Sequence, residues 1–489
     1  MENMLRLVTG RIGCGKTARI YEEIRKITEQ GGEVTLVVPE QYSFHTEKKM
    51  LEMLGARGAD RVNVVSFSFL AKNLLKKYGL NSKKSLDDST RAMLMSVALD
   101  EAGDDLQVYS RHRYSPAVIL QMLKTLKDFR QCSVTSDKIE ETLAKLKPSL
   151  LKDKLGEILL IDRTYTALVE QNYFDDDCAL DILCDVLDEH RDFDGAEVFV
   201  DGFRGFTAQE YAVLERIMRQ SAETWVTLCV DKADDEFGVF AHTFRTKRKL
   251  IRCAQKSGTD IAKPELLTRG GSIDPELNAL EKGLYSGGAE IYGEKTKKIT
   301  LCSAEDFESE CEFVACTIKR LIRTENIRCR DIAVISRSEN NYSRQIRSSL
   351  IKNGVPVFED KRQPITSEPL IEFVRSAIEI GTSGFSTDAL MRLAKTGLTD
   401  LTIEEIAKIE NYALMWQING KKWLDEWTAH PNGLGEKMLE KDAAELREIN
   451  DTRIKLVAPL QKFRVKLRDF TGGSFLLGKW KSKGLCRLS

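Results

Sequence analysis

No run of about 18 consecutive apolar residues occurs in this chain, so no stretch of it reads as a membrane-spanning helix. Met1-Glu2-Asn3-Met4 lacks a charged-then-apolar secretory pattern, and the expected location is the cytoplasm. No two of the 11 cysteines are spaced C-x-x-C, and none of the 5 histidines has a partner at metal-ligand spacing. The thiols therefore read as free ones in a reducing compartment. An iron–sulfur cluster needs grouped thiolates, and none is expected in this chain. Global basicity is missing too: 74 Lys and Arg against 75 Asp and Glu leave a net charge of −1. Whole-chain charge does not advertise nucleic acid, although one face can be basic while the average is neutral. Internal repeats and low-complexity segments are also absent.

What is present begins at the N-terminus. Leu5-Arg6-Leu7-Val8-Thr9 reads as a short apolar strand, and Gly10-Arg11-Ile12-Gly13-Cys14-Gly15-Lys16-Thr17 fits G-x-x-x-x-G-K-[ST] between that strand and a helix. Glycines let successive backbone N–H groups point inward at phosphate oxygens, and the helix N-terminus adds partial positive charge. Gly10, Gly13, Cys14 and Gly15 form the cradle, Lys16 is expected to reach the β- and γ-phosphates, and Thr17 to hold Mg²⁺. The competing reading, a glycine-rich turn that binds nothing, is much the weaker given the strand–loop–helix context.

Further strands are expected at Glu33–Val38 and Arg61–Val65, each followed by a helix, which calls for a parallel sheet covered on both faces. Ligands of such sheets bind at the carboxyl ends of the strands. Gln41, Ser66 and Phe67 fall on that rim and are candidate DNA contacts; each could equally be a loop or core residue, and for Phe67 core is the better reading. Residues 85–194 change to helical periodicity and read as an insertion. The sheet resumes at Glu197-Val198-Phe199-Val200-Asp201, an apolar strand ending in an aspartate suited to Mg²⁺ beside a phosphate loop. The next residue is Gly202, where many nucleotide-driven motors carry glutamate to orient the attacking water. Binding survives that difference more easily than hydrolysis does.

Residues 264–297 read as a connector. A second, partial α/β pattern is expected over 298–382, with strands at Lys298–Cys302, Asp331–Ile335 and Val355–Val357, followed by a helical segment over 383–489. The first α/β domain is thus 1–84 with 195–263.

The segments Gly10–Thr17, Val37-Val38-Pro39-Glu40-Gln41, Val65-Ser66-Phe67-Ser68, Val200-Asp201-Gly202-Phe203, Phe206-Thr207-Ala208-Gln209-Glu210, Asp331–Arg337 and Asn411-Tyr412-Ala413-Leu414 resemble a superfamily 1 helicase. More closely, they resemble the B subunit of the AddAB/RexAB helicase–nuclease, over about residues 4 to 470. Asp-Gly-Phe followed by Phe-Thr is the specific part. The resemblance implies a P-loop, superfamily 1 helicase-like α/β fold with a second, incomplete RecA-like domain and a nucleotide contact from Arg337. It implies ATP and Mg²⁺ as cofactors, single- and double-stranded DNA and an A-type subunit as partners, and a role in double-strand-break repair. Members are more than twice as long, and their nuclease domain and cluster cysteines have no counterpart here. The tail Thr471–Ser489 has loop composition, so the chain is expected to be a truncated product without nuclease activity. Acidic runs such as Asp175-Asp176-Asp177 and Asp234-Asp235-Glu236 read as solvated surface rather than a nuclease centre. A stand-alone P-loop ATPase or small-molecule kinase is the alternative, disfavoured by Gly202 and the second α/β half; an inactive fragment is the third reading.

Overall fold

The computed structural model describes residues 3–80, 83–231, 237–268, 274–284, 291–357, 365–434 and 437–470. The tail from Thr471 and the acidic run Asp234–Glu236 lie outside the described residues. Two compact units result: residues 1–273 with 373–489, and residues 274–372.

In the first unit the strands β1 (Met4–Thr9), β2 (Val34–Val37), β3 (Val62–Val65), β6 (Glu197–Val200) and β7 (Glu223–Leu228) form a parallel sheet in the order β3-β2-β6-β7-β1. The short β8 (Asp260–Ile261) and β9 (Glu265–Leu266) both pair with β1. The strands expected here are all formed: β1 begins one residue earlier than its expected run, while β2, β3 and β6 are each slightly shorter than theirs. Side-chain alternation divides them between two cores. Leu5, Leu7, Val198, Val200, Val226 and Leu228 face one layer, while Val8, Phe199 and Trp225 face the other. The second layer is closed by α1 (Lys16–Glu29) through Ile20 and Ile24, four residues apart on one helix face, and by α2 (Ser43–Ala59) through Met50. The first layer is closed by α3 (Phe67–Lys77), α8 (Ala179–Glu189), α9 (Ala208–Gln220) and α10 (Ala241–Ser257).

The helical insertion is built from α4 (Asp88–Glu101), α5 (Pro116–Gln131), α6 (Ser136–Lys145) and α7 (Leu150–Asn172). The first, second and last of these share a core of Met95, Leu99, Ile119, Met122, Ile161 and Tyr165. Two details differ from the sequence expectation. A small parallel pair, β4 (Lys84–Ser85) with β5 (Tyr173–Phe174), ties the two ends of the insertion together. And α8, grouped by its periodicity with the insertion, packs on α3 and α9. Buried Glu157 of α7 accepts from the backbone N–H groups of Gln107, Val108 and Tyr109 at 2.8, 2.7 and 3.0 Å, fixing the loop after α4. Polar groups at that depth need such partners.

At the amino ends of the strands, Glu197 sits directly across from Glu223. Arg6 takes Glu223 in two hydrogen bonds, of 2.8 and 2.6 Å. The Oε2 of Glu197 is left buried without a partner. Burial first, then repulsion by Glu223, pushes the Glu197 carboxyl up from 4.5 to about 7. A raised carboxyl favours the fold fully below its ordinary pKa, and that contribution is lost as pH rises to about 7. Glu197→Gln is therefore expected to flatten the fall in stability between pH 4.5 and 7. It should raise stability at pH 8 by about 1–2 kcal/mol after discount for partial exposure. Urea unfolding at pH 5 and pH 8 reads this; equal stabilities of variant and wild type at pH 8 would refute it.

The unit 274–372 contains α11 (Pro275–Gly283), α12 (Phe307–Thr324) and α13 (Glu339–Lys352). Here the sequence expectation is corrected: among its described residues there is no strand at 298–302, 331–335 or 355–357. A strand must give its backbone N–H and C=O groups to a neighbour, and none of these segments has one. Leu301 and Ile335 consequently stand 97% and 93% exposed. The first of the three is held instead by Glu276, which accepts from the N–H groups of Lys297, Lys298 and Ile299.

From Phe373 onward, the remainder of α14 (Pro369–Ser383) with α15 (Thr387–Ala394), α16 (Ile403–Met415) and α17 (Glu440–Phe470) surrounds a core of Trp423, Trp427 and Tyr412. Buried Arg453 donates to Asn450 Oδ1 and the Trp423 carbonyl there.

Candidate nucleotide site

All five main strands run the same way, so their carboxyl ends make one rim. The loop after β1 and the aspartate after β6 meet there, although β7 separates the two strands. The loop keeps its shape because three of its positions have left-handed backbone: Gly10 at φ +153°, Gly13 at +74° and Gly15 at +89°. A Cβ on Gly10 would lie 2.5 Å from Cys14 Sγ and 2.6 Å from the Leu267 carbonyl, so no other residue fits. Lys16 Nζ donates to the carbonyls of Gly10 at 2.9 Å and Arg11 at 2.8 Å, and lies 3.8 Å from Cys14 Sγ. The ammonium thus closes over its own loop, on carbonyls that a phosphate would have to outcompete.

Thr17 Oγ1 donates to Asp201 Oδ2 at 2.8 Å, which bridges the gap left by β7. Thr227, on β7 itself, donates to the other carboxylate oxygen. Asp201 is 7% exposed, and both its oxygens are oriented. Tyr21 nearby has its phenol pushed up, by burial first and the Asp201 charge second. Two hard oxygen donors side by side beneath a phosphate loop suit a cation that takes most of its shell from phosphate and water, as Mg²⁺ does.

Gly202 has φ +83°, and a Cβ there would press on Pro39 Cδ at 3.3 Å. A glutamate at this position would need left-handed backbone, costing about 1–2 kcal/mol. Gly202→Glu is accordingly expected to lower the melting temperature and to leave ATP turnover no faster than wild type. A coupled-enzyme assay that found a gain of tenfold or more would overturn this account of the glycine.

The other candidates fall as follows. Gln41 is exposed in a short 3₁₀ turn, Glu40–Tyr42, after β2. Ser66 is buried and caps α3, accepting from Phe69 N at 3.2 Å. Phe67 is corrected as a DNA contact: it is 4% exposed, with its ring 5.5 Å from Phe203 and 6.1 Å from Phe206. A ring enclosed in an aromatic cluster has no face for a base. Phe69 is 50% exposed one short helical step away, in a cleft of about 520 Å³ between rim and insertion that Glu40, Ser68, Lys72, Lys127 and Gln131 also line. Arg337 belongs to the unit 274–372, where it is exposed.

Two contributors escape sequence reasoning. Thr227 is one hydroxyl in a β-rich run, with no local mark of its partner. Gln209, 3% exposed, donates to Asp181 Oδ2 at 2.7 Å and to the Asp177 carbonyl, fastening the segment after Asp201 to α8 and its approach. The neighbouring capping box, in which Thr207 and Glu210 bond reciprocally, is legible as T-x-x-E. Among the described residues no three His, Cys, Asp or Glu side chains gather into a metal-binding group.

A family model described as ADDB, N-terminal, matches residues 7–281, and one described as UvrD-like helicase C-terminal domain matches residues 239–417. The chain is 32% identical over 470 residues to a protein of Caldanaerobacter subterraneus subsp. tengcongensis named as the B subunit of an ATP-dependent helicase/deoxyribonuclease, covering 94% of this chain and 41% of that protein. A protein of the same name from Thermoanaerobacter sp. strain X514 is 32% identical over 481 residues, covering 96% and 42%. Another from Clostridium novyi is 31% identical over 490 residues, covering 98% and 41%. The chain therefore spans about two fifths of the length of these relatives.

Proposed function

Because the chain belongs to the ADDB N-terminal family, we propose that it is the ATP-binding, single-stranded-DNA-engaging, helicase-like portion of a helicase–nuclease B subunit acting in double-strand-break repair by homologous recombination. The observation that carries this is the phosphate loop joined through Thr17 to Asp201, with a glycine locked where a motor would hold its water-orienting glutamate. Such a site binds ATP with Mg²⁺ and turns it over slowly at best.

In the proposed arrangement Lys16 leaves the Gly10 and Arg11 carbonyls for phosphate oxygens. The loop N–H groups and the start of α1 carry the remaining phosphate charge. Thr17 and Asp201 hold Mg²⁺, which supplies charge neutralisation to the phosphates when bound. Thr227 keeps the Asp201 carboxylate from rotating. Single-stranded DNA lies along the rim past Gln41 and the Phe69 cleft, where Phe69 offers a stacking face and Lys72 a positive charge, Lys127 being paired with Asp177 at 3.1 Å. An A-type subunit is the proposed heterodimer partner, the cytoplasm the proposed location, and Arg337 a proposed second-domain contact to nucleotide. No described helix is long and apolar enough to cross a membrane.

The competing reading, a stand-alone P-loop ATPase or small-molecule kinase, makes a different demand. It needs a small acceptor and ignores DNA. Measuring ATP binding and turnover with and without single-stranded DNA separates the two. DNA-dependent change in either quantity is the expected result; brisk turnover indifferent to DNA would replace the proposal.

A further inference from the structure

The helix α10, Ala241–Ser257, carries six Lys and Arg residues and no Asp or Glu, in a chain whose net charge is −1. Five of the six share one face, Lys247 being the exception. Thr243, Thr246, Leu250 and Ala254 are buried toward the sheet, at offsets of three, four and four. Their opposite face exposes Arg245, Arg248, Lys249, Arg252 and Lys256, at offsets of three, one, three and four. The inward side is also pinned by hydrogen bonds: Thr243 Oγ1 donates to the Cys229 carbonyl at 2.6 Å and Thr246 Oγ1 to the Arg204 carbonyl at 3.2 Å. The helix cannot roll, so its five cations stay in one outward row of about 16 Å, from a rise of about 1.5 Å per residue.

Two charged ends lie over aromatic rings, Lys249 Nζ on Tyr211 at 5.3 Å and the Arg248 guanidinium on Phe244 at 6.0 Å, which holds both on the outward face, where the two residues are exposed. Lys256 meets Glu215 of α9 at 2.9 Å, at the far end of the row from Arg245. The row starts beside the rim, because α10 follows the carboxyl end of β7, and it runs down the flank of the domain.

We propose that this row is a docking track for the phosphodiester backbone of double-stranded DNA, lying beside the single-stranded path on the rim. It rests on the nucleic-acid reading above and extends it to a second surface. The chemistry favours a phosphate backbone over an acidic protein: interface cores with proteins are depleted in charge and rich in aromatic and apolar side chains, and the exposed positions of this row are all cationic. A duplex carries one negative charge per about 1.7 Å of axis, so a row of this length faces about five base pairs. Contacts of this kind position without reading sequence.

The test is the triple variant Arg248→Gln, Lys249→Gln, Arg252→Gln in the full chain, leaving the loop and the rim cleft untouched. Binding of a labelled random-sequence duplex is followed by anisotropy across a salt series. Loss of three phosphate contacts should flatten the slope of log affinity against log salt by about 2–3 and weaken low-salt binding about tenfold or more. The variant with three lysines at those positions should keep the wild-type slope. Thermal melts and ATP binding should match wild type. An unchanged duplex slope, or a wild type that binds no duplex, overturns this proposal, whereas failure of the rim reading shows separately, with single-stranded probe and ATP. Normal duplex binding with lost capture of the A-type subunit would assign the row to an acidic protein face instead.

Discussion

Lys16→Ala is expected to remove ATP–Mg²⁺ binding from this protein altogether under ordinary assay concentrations. The ammonium is already inside the loop, held by the Gly10 and Arg11 carbonyls at 2.9 and 2.8 Å. Substituting phosphate oxygens for those carbonyls exchanges neutral acceptors for charged ones, and charged hydrogen bonds contribute about 1.5–3 kcal/mol each. Losing contacts to both terminal phosphates should weaken binding by about 3–4 kcal/mol, or roughly 100- to 1000-fold. The fold should lose about 1–3 kcal/mol at most, because two loop carbonyls give up one donor each, one of them on buried Gly10. Isothermal titration gives the affinity, and thermal melts give the control: ATP should raise the wild-type midpoint and leave that of the variant where it is. An unchanged affinity in Lys16→Ala would remove the loop from the nucleotide site, whatever the sequence pattern says.

Why the loop could be read from sequence and its surroundings could not follows from where the constraints lie. Gly10, Gly13 and Gly15 are local: each is needed by a backbone angle set within a few residues. Asp201 is legible because it ends an apolar strand. Thr227 acts across two strands, on an oxygen of a residue 26 positions away. The Gln209 bond to Asp181 likewise depends on α8 packing against α9. No periodicity encodes such pairings. Gly202 was legible as a missing glutamate, but its physical reason, a left-handed backbone pressed against Pro39, appears only in three dimensions.

The missed strands of the unit 274–372 teach the converse. Asp331–Ile335 and Val355–Val357 have β-rich composition, and composition is all a single sequence offers. Whether such a run becomes a strand depends on a partner, and these have none among the described residues. Their apolar side chains then meet water or line the groove beside α12 and α13, where Ile332, Val334 and Val357 stand with Ile318 and Leu350.

Truncating the two phenylalanines of α3 should separate the core of this site from its surface. Phe67→Ala deletes a ring that is 4% exposed and packs edge-on against Phe203 and Phe206, themselves 5.0 Å apart and continued by Tyr211 at 5.4 Å from Phe206. A buried Phe→Ala change costs about 3–5 kcal/mol, because transfer energy and the cavity left behind add. That is a large share of what a domain has, so this variant is expected to melt many degrees lower, or to be recovered only in part. Phe69→Ala removes a ring that is 50% exposed in the cleft between rim and insertion. Surface changes of this kind usually stay within about 0.5 kcal/mol of stability. Stacking on a base contributes about 1–3 kcal/mol, so its single-stranded DNA affinity should fall about 5- to 150-fold. The two measurements, urea unfolding and anisotropy with a labelled oligonucleotide, therefore give opposite patterns for residues two positions apart. Phe67→Ala folded normally but blind to DNA would return that residue to the binding surface. Phe69→Ala with wild-type affinity would empty the cleft of its proposed strand.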